Sequence, residues 1–139
     1  MRGEREDLTA AATEHEAEML QVLGDPPRLD LLILGAGPDG HVCSLFPGRP
    51  LIRERLRWVA AVHDSPKPPP RRLTLTLPAI LAARDVVIVA LGREKAQVVR
   101  TVLQEADSEL PAALVARGAR RGLILLDPDA ASLLEGVPR

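Results

Sequence analysis

The sequence predicts an α/β fold built around a mostly parallel sheet. Short, nearly continuous apolar runs alternate along the chain with segments whose apolar residues have helical spacing. Such runs are typical of strands buried on both faces of a parallel sheet, and their alternation with helices indicates strand–helix units. The chain has 139 residues, of which 46% are hydrophobic and 27% charged, enough for a core of its own. We therefore treat residues 1–139 as one domain or part of one.

Stop signals define the elements of the first half. Gly24 and the two prolines that follow end a helical pattern, and Pro47 cuts short any helix after the glycine-rich loop. The first apolar run is short and ends at Gly35, which indicates a strand buried on both faces. The predicted elements are a helix at 7–23, a strand at 29–34, one helical turn at most at 41–46, a helix at 51–57 and a strand at 58–62.

In the second half, prolines mark where helices begin. Pro78 and Pro128 can each occupy a first helical position, and Asp127 is a suitable N-cap for the segment after it. The predicted elements are an alternating strand at 74–77, a helix at 78–83, a buried strand at 86–91, helices at 93–104 and 111–115, a strand at 123–126 and a helix at 130–134.

Composition excludes several classes of function. The formal net charge is −1, so no strong field attracts nucleic acid or an anionic membrane. Phe46 and Trp58 are the only aromatic side chains, too few for a platform that stacks bases. No apolar run approaches the length of a membrane span, and the charged N-terminus does not resemble a signal peptide. We expect a cytoplasmic protein without nucleic-acid or membrane partners.

The sequence predicts neither a disulfide nor a metal site. Cys43 is the single cysteine, which suits a reducing compartment. His15 lies in an acidic helical segment and His63 in a turn, and with Cys43 they lack the spacing of zinc ligands. Both histidines are therefore expected to be structural or incidental.

The glycine-rich loop at 35–40 formally matches the dinucleotide-binding fingerprint. It follows a strand, and Asp64 ends the next one. The fingerprint needs a long helix whose N-terminus faces the pyrophosphate, whereas Pro47 ends any helix within about two turns. Asp39 would also repel a pyrophosphate. These features disfavour a nucleotide site.

The same loop carries candidate catalytic groups. Asp39 and His41 follow a strand at the carboxyl edge of a parallel sheet, where ligands bind to such folds. His41 is the candidate general base because imidazole titrates near physiological pH, and Asp39 could orient it or hold a substrate hydroxyl. Gly37 and Gly40 would let backbone approach a ligand closely. The alternative, that Asp39 caps a short helix and His41 is a surface residue, stays open.

A basic segment follows the second strand. Residues 66–70 contain three consecutive prolines, which predict an extended arm that carries Lys67, Arg71 and Arg72. Such a group could form an anion pocket, because arginine binds phosphate or carboxylate with two hydrogen bonds. A solvated basic turn is the alternative.

Two stretches resemble a known family. Residues 29–48 read LDLLILGAGPDGHVCSLFPG and residues 65–80 read SPKPPPRRLTLTLPAI. They resemble, in order, the two signatures of 6-phosphogluconolactonases, and weaker matches lie at 92–95, 110–115 and 127–131. The resemblance implies a Rossmann-like layered fold. It also implies hydrolysis of 6-phospho-D-glucono-1,5-lactone to 6-phosphogluconate in the oxidative pentose phosphate pathway, without a metal or organic cofactor.

The resemblance also implies roles for individual residues. His41 matches the family's proposed general base, Asp39 the adjacent acid, and Arg72 a basic residue at the substrate. Together with Gly37, Gly40 and Lys67, these residues form the site that the sequence predicts.

The chain departs from the family in one respect. Family members begin with a strand and a Ser/Gly-rich loop that holds the substrate phosphate, followed by an Asp-Glu-Arg segment on a further strand, and neither motif is found here. The chain thus resembles the C-terminal half or slightly more of a lactonase, so we expect a sheet without the N-terminal strands. Two alternatives stay open: a non-catalytic or partner-dependent fragment that needs a complementary N-terminal chain, and an enzyme like the related glucosamine-6-phosphate deaminases/isomerases.

Overall fold

The apolar runs form two separate sheets within residues 3–136, the part of the chain that the computed structural model describes. The strands are β1 (Leu31–Gly35), β2 (Val59–Val62), β3 (Arg72–Leu75), β4 (Asp85–Ala90) and β5 (Gly122–Leu126). The α-helices are α1 (Leu8–Leu23), α2 (Leu77–Ala82), α3 (Ala96–Gln104) and α4 (Pro111–Gly118), and 3₁₀ turns lie at Pro50–Arg53 and Arg93–Lys95.

The larger sheet is parallel, as the sequence predicts, with strand order β1-β4-β5. Ile33 on β1 lies opposite Val87 on β4, and Val87 lies opposite Leu123 on β5. One face of this sheet packs against α3 and α4, and its side chains form the main core. That core includes Leu34, Val86, Ile88, Val98, Val102, Ala112, Ala113 and Val115.

The second face of this sheet is open. Leu31, Ile33, Leu123 and Leu125 are 53%, 67%, 59% and 52% exposed, and we call these four residues the open sheet face. The prediction that β1 is buried on both faces is therefore wrong. Its nearly continuous apolar run is typical of a strand covered on both faces, but the described helices cover only one face of the sheet.

The smaller sheet is an antiparallel hairpin of β2 and β3, in which Val62 pairs with Arg72. These two strands are the antiparallel exception to the mostly parallel sheet that the sequence predicts, because the proline-rich turn between them brings the chain back on itself. Helix α1 packs on the hairpin. The Glu16 carboxylate accepts the N–H groups of Trp58 and Val59 at 2.5 and 2.9 Å, which ties α1 to the start of β2.

The helix predicted at 51–57 is mostly absent. After the 3₁₀ turn at Pro50–Arg53, Glu54 has an extended backbone, and its carboxylate accepts the N–H groups of Leu56 and Arg57. A side chain that bonds to following N–H groups competes with helical hydrogen bonding.

Residues 41–46 contain no helical turn, within the prediction of one turn at most, and Val42 forms an isolated bridge with Leu45. The helix predicted at 130–134 is wrong: these residues form turns, although the Asp127 carboxylate does cap Ala130 as predicted. Elsewhere the predicted elements are found with shifted ends. Within residues 3–136, no helix is long and apolar enough to cross a membrane.

Gly40 should be sensitive to substitution because it is both strained for other residues and crowded. Its φ is +82°, and a Cβ there would lie 2.9 Å from Leu110 Cδ1, whereas Gly48 has a φ of +72° with open space around it. We expect Gly48→Ala to lower the free energy of unfolding by about 1–2 kcal/mol through backbone strain alone. Gly40→Ala should cost roughly 1–3 kcal/mol more through overpacking. Urea unfolding measures both, and equal losses would contradict the contact with Leu110.

Candidate active site

The loop after β1 is a tight turn that places two side chains together. The Gly37 N–H donates to the His41 carbonyl and the Gly40 N–H donates to the Gly37 carbonyl, both at 2.9 Å. The turn lies at the carboxyl end of a parallel strand, the edge at which open α/β sheets bind ligands. Gly37 and Gly40 therefore use their N–H groups to shape the loop.

Asp39 and His41 form a close pair on this loop. Asp39 Oδ1 lies 2.5 Å from His41 Nδ1, and the His41 side chain is 15% exposed. Partial burial raises the pKa of Asp39, but the hydrogen bond and charge of His41, with the charge of Lys67, outweigh it, so this pKa lies below its ordinary value of 3.8. Asp39 is thus an ionised acceptor, and His41 Nδ1 must donate to it. In the neutral imidazole this leaves the lone pair on Nε2, the nitrogen that can take a proton.

Lys67 reaches the pair from the hairpin. Its Nζ lies 3.6 Å from Asp39 Oδ1. The turn that carries it is closed, because the Ser65 N–H donates to the Pro70 carbonyl at 2.9 Å and Ser65 Oγ donates to the Lys67 carbonyl at 2.8 Å. The predicted extended arm is therefore wrong: these hydrogen bonds fold residues 65–70 into a loop that faces Asp39.

Arg72 holds that turn from its end. Its Nε donates to the Pro69 carbonyl at 2.7 Å, and its Nη2 donates to the carbonyls of Lys67 and Pro68 at 2.7 and 2.5 Å. Within residues 3–136, no hydrogen bond occupies Nη1 of Arg72. Arg71, by contrast, donates to the Glu6 carbonyl at the start of the chain. Of the two adjacent arginines, Arg72 is thus the one beside Lys67.

Phe46 is a part of the site that sequence reasoning missed. Its ring centroid lies 4.7 Å from that of His41 with a tilt of 34°, and the guanidinium carbon of Arg72 lies 6.0 Å from it. Phe46 is 3% exposed. Phe46 could have been found from its place in the first signature, a short distance after the loop. It is also the chain's only phenylalanine.

A cavity of about 800 Å³ is lined in part by Phe46 and extends along β2. Arg49 and Asp64, which line it, form an ion pair at 2.7 Å. His63 also lines this cavity, whereas His15 pairs with Glu18 on α1. Neither His15 nor His63 joins the pair at Asp39.

The loop offers no thiolate, and a metal site is equally unsupported. Burial raises the pKa of Cys43 to about 11, so its thiol is neutral at physiological pH. In the described part of the chain, no three His, Cys, Asp or Glu side chains come together in a way that could hold a metal ion.

Gly37 is required for the pair because there is no room for a side chain. A Cβ at this position would lie 2.0 Å from His41 Nδ1 and 2.6 Å from Asp39 Oδ1, whereas a Cβ at Gly35 would meet nothing within 4 Å. We expect Gly37→Ala to separate the two groups and raise the pKa of Asp39 toward 3.8, with Gly35→Ala as the matched control. Carboxyl ¹³C NMR titration measures this pKa.

The sign of the pH effect follows from that shift. Because the pKa of Asp39 is lowered on folding, its stabilising contact is fully present above 3.8 and is lost as the pH falls through the lower folded value. Gly37→Ala should therefore make unfolding less dependent on pH in that acidic window. An unchanged pKa in Gly37→Ala would show that the pair tolerates a side chain at position 37.

Comparison with known proteins agrees with the fold. The family described as glucosamine-6-phosphate isomerases/6-phosphogluconolactonase matches residues 1–124. A 6-phosphogluconolactonase of Rattus norvegicus is 51% identical over 126 residues, covering 89% of this chain and 49% of the relative. One of Streptomyces coelicolor is 48% identical over 130 residues, covering 94% and 47%. The chain thus spans about half the length of these relatives.

Solved structures share the fold. A 6-phosphogluconolactonase of Trypanosoma cruzi has a TM-score of 0.81 at 30% identity, covering 93% of this chain and 53% of that one. A monomeric glucosamine-6-phosphate deaminase has a TM-score of 0.71 at 26% identity. The Rossmann-like α/β fold is thereby confirmed, and the chain belongs to the glucosamine-6-phosphate isomerase/6-phosphogluconolactonase family.

Proposed function

We propose that the protein hydrolyses 6-phospho-D-glucono-1,5-lactone to 6-phospho-D-gluconate, a step of the oxidative pentose phosphate pathway. The observation that carries the proposal is the Asp39–His41 pair, held at 2.5 Å at the carboxyl edge of the sheet with Nε2 as the basic nitrogen. The names of the relatives support this substrate, since several relatives with about 50% sequence identity are 6-phosphogluconolactonases. We place the reaction in the cytoplasm, which suits a chain with one unpaired cysteine.

In this reaction His41 acts first as a base and then as an acid. Nε2 takes a proton from water while the water oxygen bonds to the lactone carbonyl carbon, which becomes a tetrahedral oxyanion. The oxyanion then collapses, the bond to the ring oxygen breaks, and the imidazolium returns its proton to that oxygen. The carboxylate of Asp39 keeps the imidazole oriented and stabilises the imidazolium, as the acid of a catalytic triad does. The steps need no metal or organic cofactor.

The basic groups beside the pair are suited to an anionic substrate. Lys67 Nζ is 3.6 Å from Asp39, and Arg72 follows at the end of the same turn. We assign both to substrate binding, with Nη1 of Arg72 as the group directed to the ligand. Gly37 leaves room for the Asp39–His41 pair, and Gly40 leaves room for Leu110. The N–H groups of both glycines already donate within the loop, so the glycines shape the site and do not bind the ligand through these groups.

A sugar-phosphate deaminase is the second candidate, since a solved deaminase has the same fold. The loop continues here as Ser44-Leu45-Phe46-Pro47, which resembles the lactonase signature, whereas the deaminase loop usually continues toward Asn-Glu-Pro. Release of ammonia from glucosamine 6-phosphate distinguishes the two activities. We expect none above the uncatalysed rate.

The open sheet face indicates what a complete enzyme needs. Ile33 and Leu123 are 67% and 59% exposed and lie in one row across the sheet. Large exposed apolar patches usually mark interfaces. The relatives contain about as much sequence again outside the matched part. We propose that polypeptide equivalent to that other half covers the face and completes the site, and that without it the chain is a partner-dependent fragment.

Loss of His41 tests the mechanism. In His41→Ala, we expect the rate of lactone hydrolysis to fall by about a hundredfold to ten-thousandfold with the fold retained, because the general base is lost. Proton release from freshly prepared lactone measures the rate, against the spontaneous reaction. His15→Ala, in which the other paired histidine is removed from α1, is the matched control.

The assay is run on the chain alone and after mixing with the unmatched half of the rat relative. Activity that appears only in the mixture supports a partner-dependent enzyme. Activity that His41→Ala retains in either setting would refute the assignment of the base, and no activity in both would refute the proposed reaction for this chain.

Arg72 should matter for affinity. Arg72→Ala removes a cation beside Lys67, so we expect the apparent KM for the lactone to rise while kcat changes less. Arg71→Ala is the matched control, because that guanidinium donates to the Glu6 carbonyl away from the turn. Equal KM values in Arg72→Ala and the parent chain would remove Arg72 from the substrate site.

A further inference from the structure

Phe46 connects the two segments that carry the site. The Asp39–His41 pair belongs to the loop after β1, whereas Lys67 and Arg72 belong to the hairpin. The ring of Phe46 lies 4.7 Å from the His41 ring and 6.0 Å from the Arg72 guanidinium carbon. It thus contacts one charged or titratable group from each segment.

The backbone around Phe46 is fixed on both sides. Before it, the Leu45 N–H donates to the Val42 carbonyl at 3.0 Å, and after it the Arg49 N–H donates to the Phe46 carbonyl at 3.2 Å. The side chain is 3% exposed, so it has little freedom to change rotamer. The ring is therefore a rigid surface against which His41 and Arg72 pack.

We propose that Phe46 is a positioning residue that holds the His41 imidazole in the orientation that reaches Asp39. The ring blocks the rotamers of His41 that would turn it away from Asp39, and the packing is a favourable aromatic contact. On its other neighbour, the ring attracts the guanidinium of Arg72 at the limit of a cation–π contact. Arg72 donates in turn to the Lys67 carbonyl, so one side chain aligns the base and the basic turn.

The kinetic consequence rests on the proposed lactone hydrolysis, whereas the positioning does not. A base displaced by about 1 Å can lose roughly a hundredfold in rate. We therefore expect Phe46→Leu to lower kcat by about tenfold to a hundredfold in whichever setting the parent chain is active. Phe46→Tyr keeps the aromatic ring, so it should restore most of kcat.

The decisive test is NMR of the folded 139-residue chain, which needs no activity. In Phe46→Leu we expect the Nδ1 ¹⁵N signal of His41 to move from its hydrogen-bonded value and the pKa of Asp39 to rise toward 3.8. The charged groups that bear on this pKa are His41 and Lys67, which the variant leaves in the chain. Phe46→Tyr should keep both readouts at the parent values.

Leu45→Val is the matched control for lost packing. Leu45 is 1% exposed and adjacent in the loop, so this variant loses core volume without removing the ring. Both readouts should stay at the parent values in Leu45→Val. If Phe46→Leu also leaves them unchanged, or if Leu45→Val moves them equally, the positioning role is refuted. If they move but kcat does not, the role in catalysis is refuted, and a parent chain inactive in every setting refutes only the proposed reaction.

Discussion

The hydrogen bond between Asp39 and His41 is the contact on which the site depends. It forms because position 37 has no side chain, and a Cβ there would occupy the space of the imidazole. Backbone N–H groups of the loop donate to carbonyls of the same loop and so maintain this shape. The result is an ionised carboxylate that holds one imidazole nitrogen, leaving the other with its lone pair. This is the arrangement that the proposed mechanism requires of its base.

The fold brings this pair to a second source of charge. The parallel sheet places the loop at its carboxyl edge, and a separate hairpin carries Lys67 to within 3.6 Å of Asp39. Arg72 closes the hairpin turn by donating to three carbonyls. Its guanidinium therefore has a structural role in addition to the proposed role in substrate binding. Phe46 lies between the loop and the turn. The site is thus built from a loop of the parallel sheet and the turn of the hairpin.

Sequence patterns predicted the parallel sheet and the membership of Asp39, His41 and Lys67 in one region, because strands, turns and signatures are local in the chain. They did not predict the hairpin, since an apolar run such as β2 has the same pattern in either sheet. Burial was wrong for Ile33, because a nearly continuous apolar run does not reveal whether the second face of the strand is covered. The role of Phe46 was missed because it depends on a contact between distant segments.

The measurement that tests this account most directly is the ¹⁵N spectrum of the neutral His41 imidazole in the folded chain. The account predicts a protonated Nδ1, hydrogen-bonded to Asp39, and an unprotonated Nε2 that is available as the base. A spectrum with the proton on Nε2 would contradict it. The carboxylate would then not orient the imidazole, and the loop would be a structural turn with no basic nitrogen presented to water.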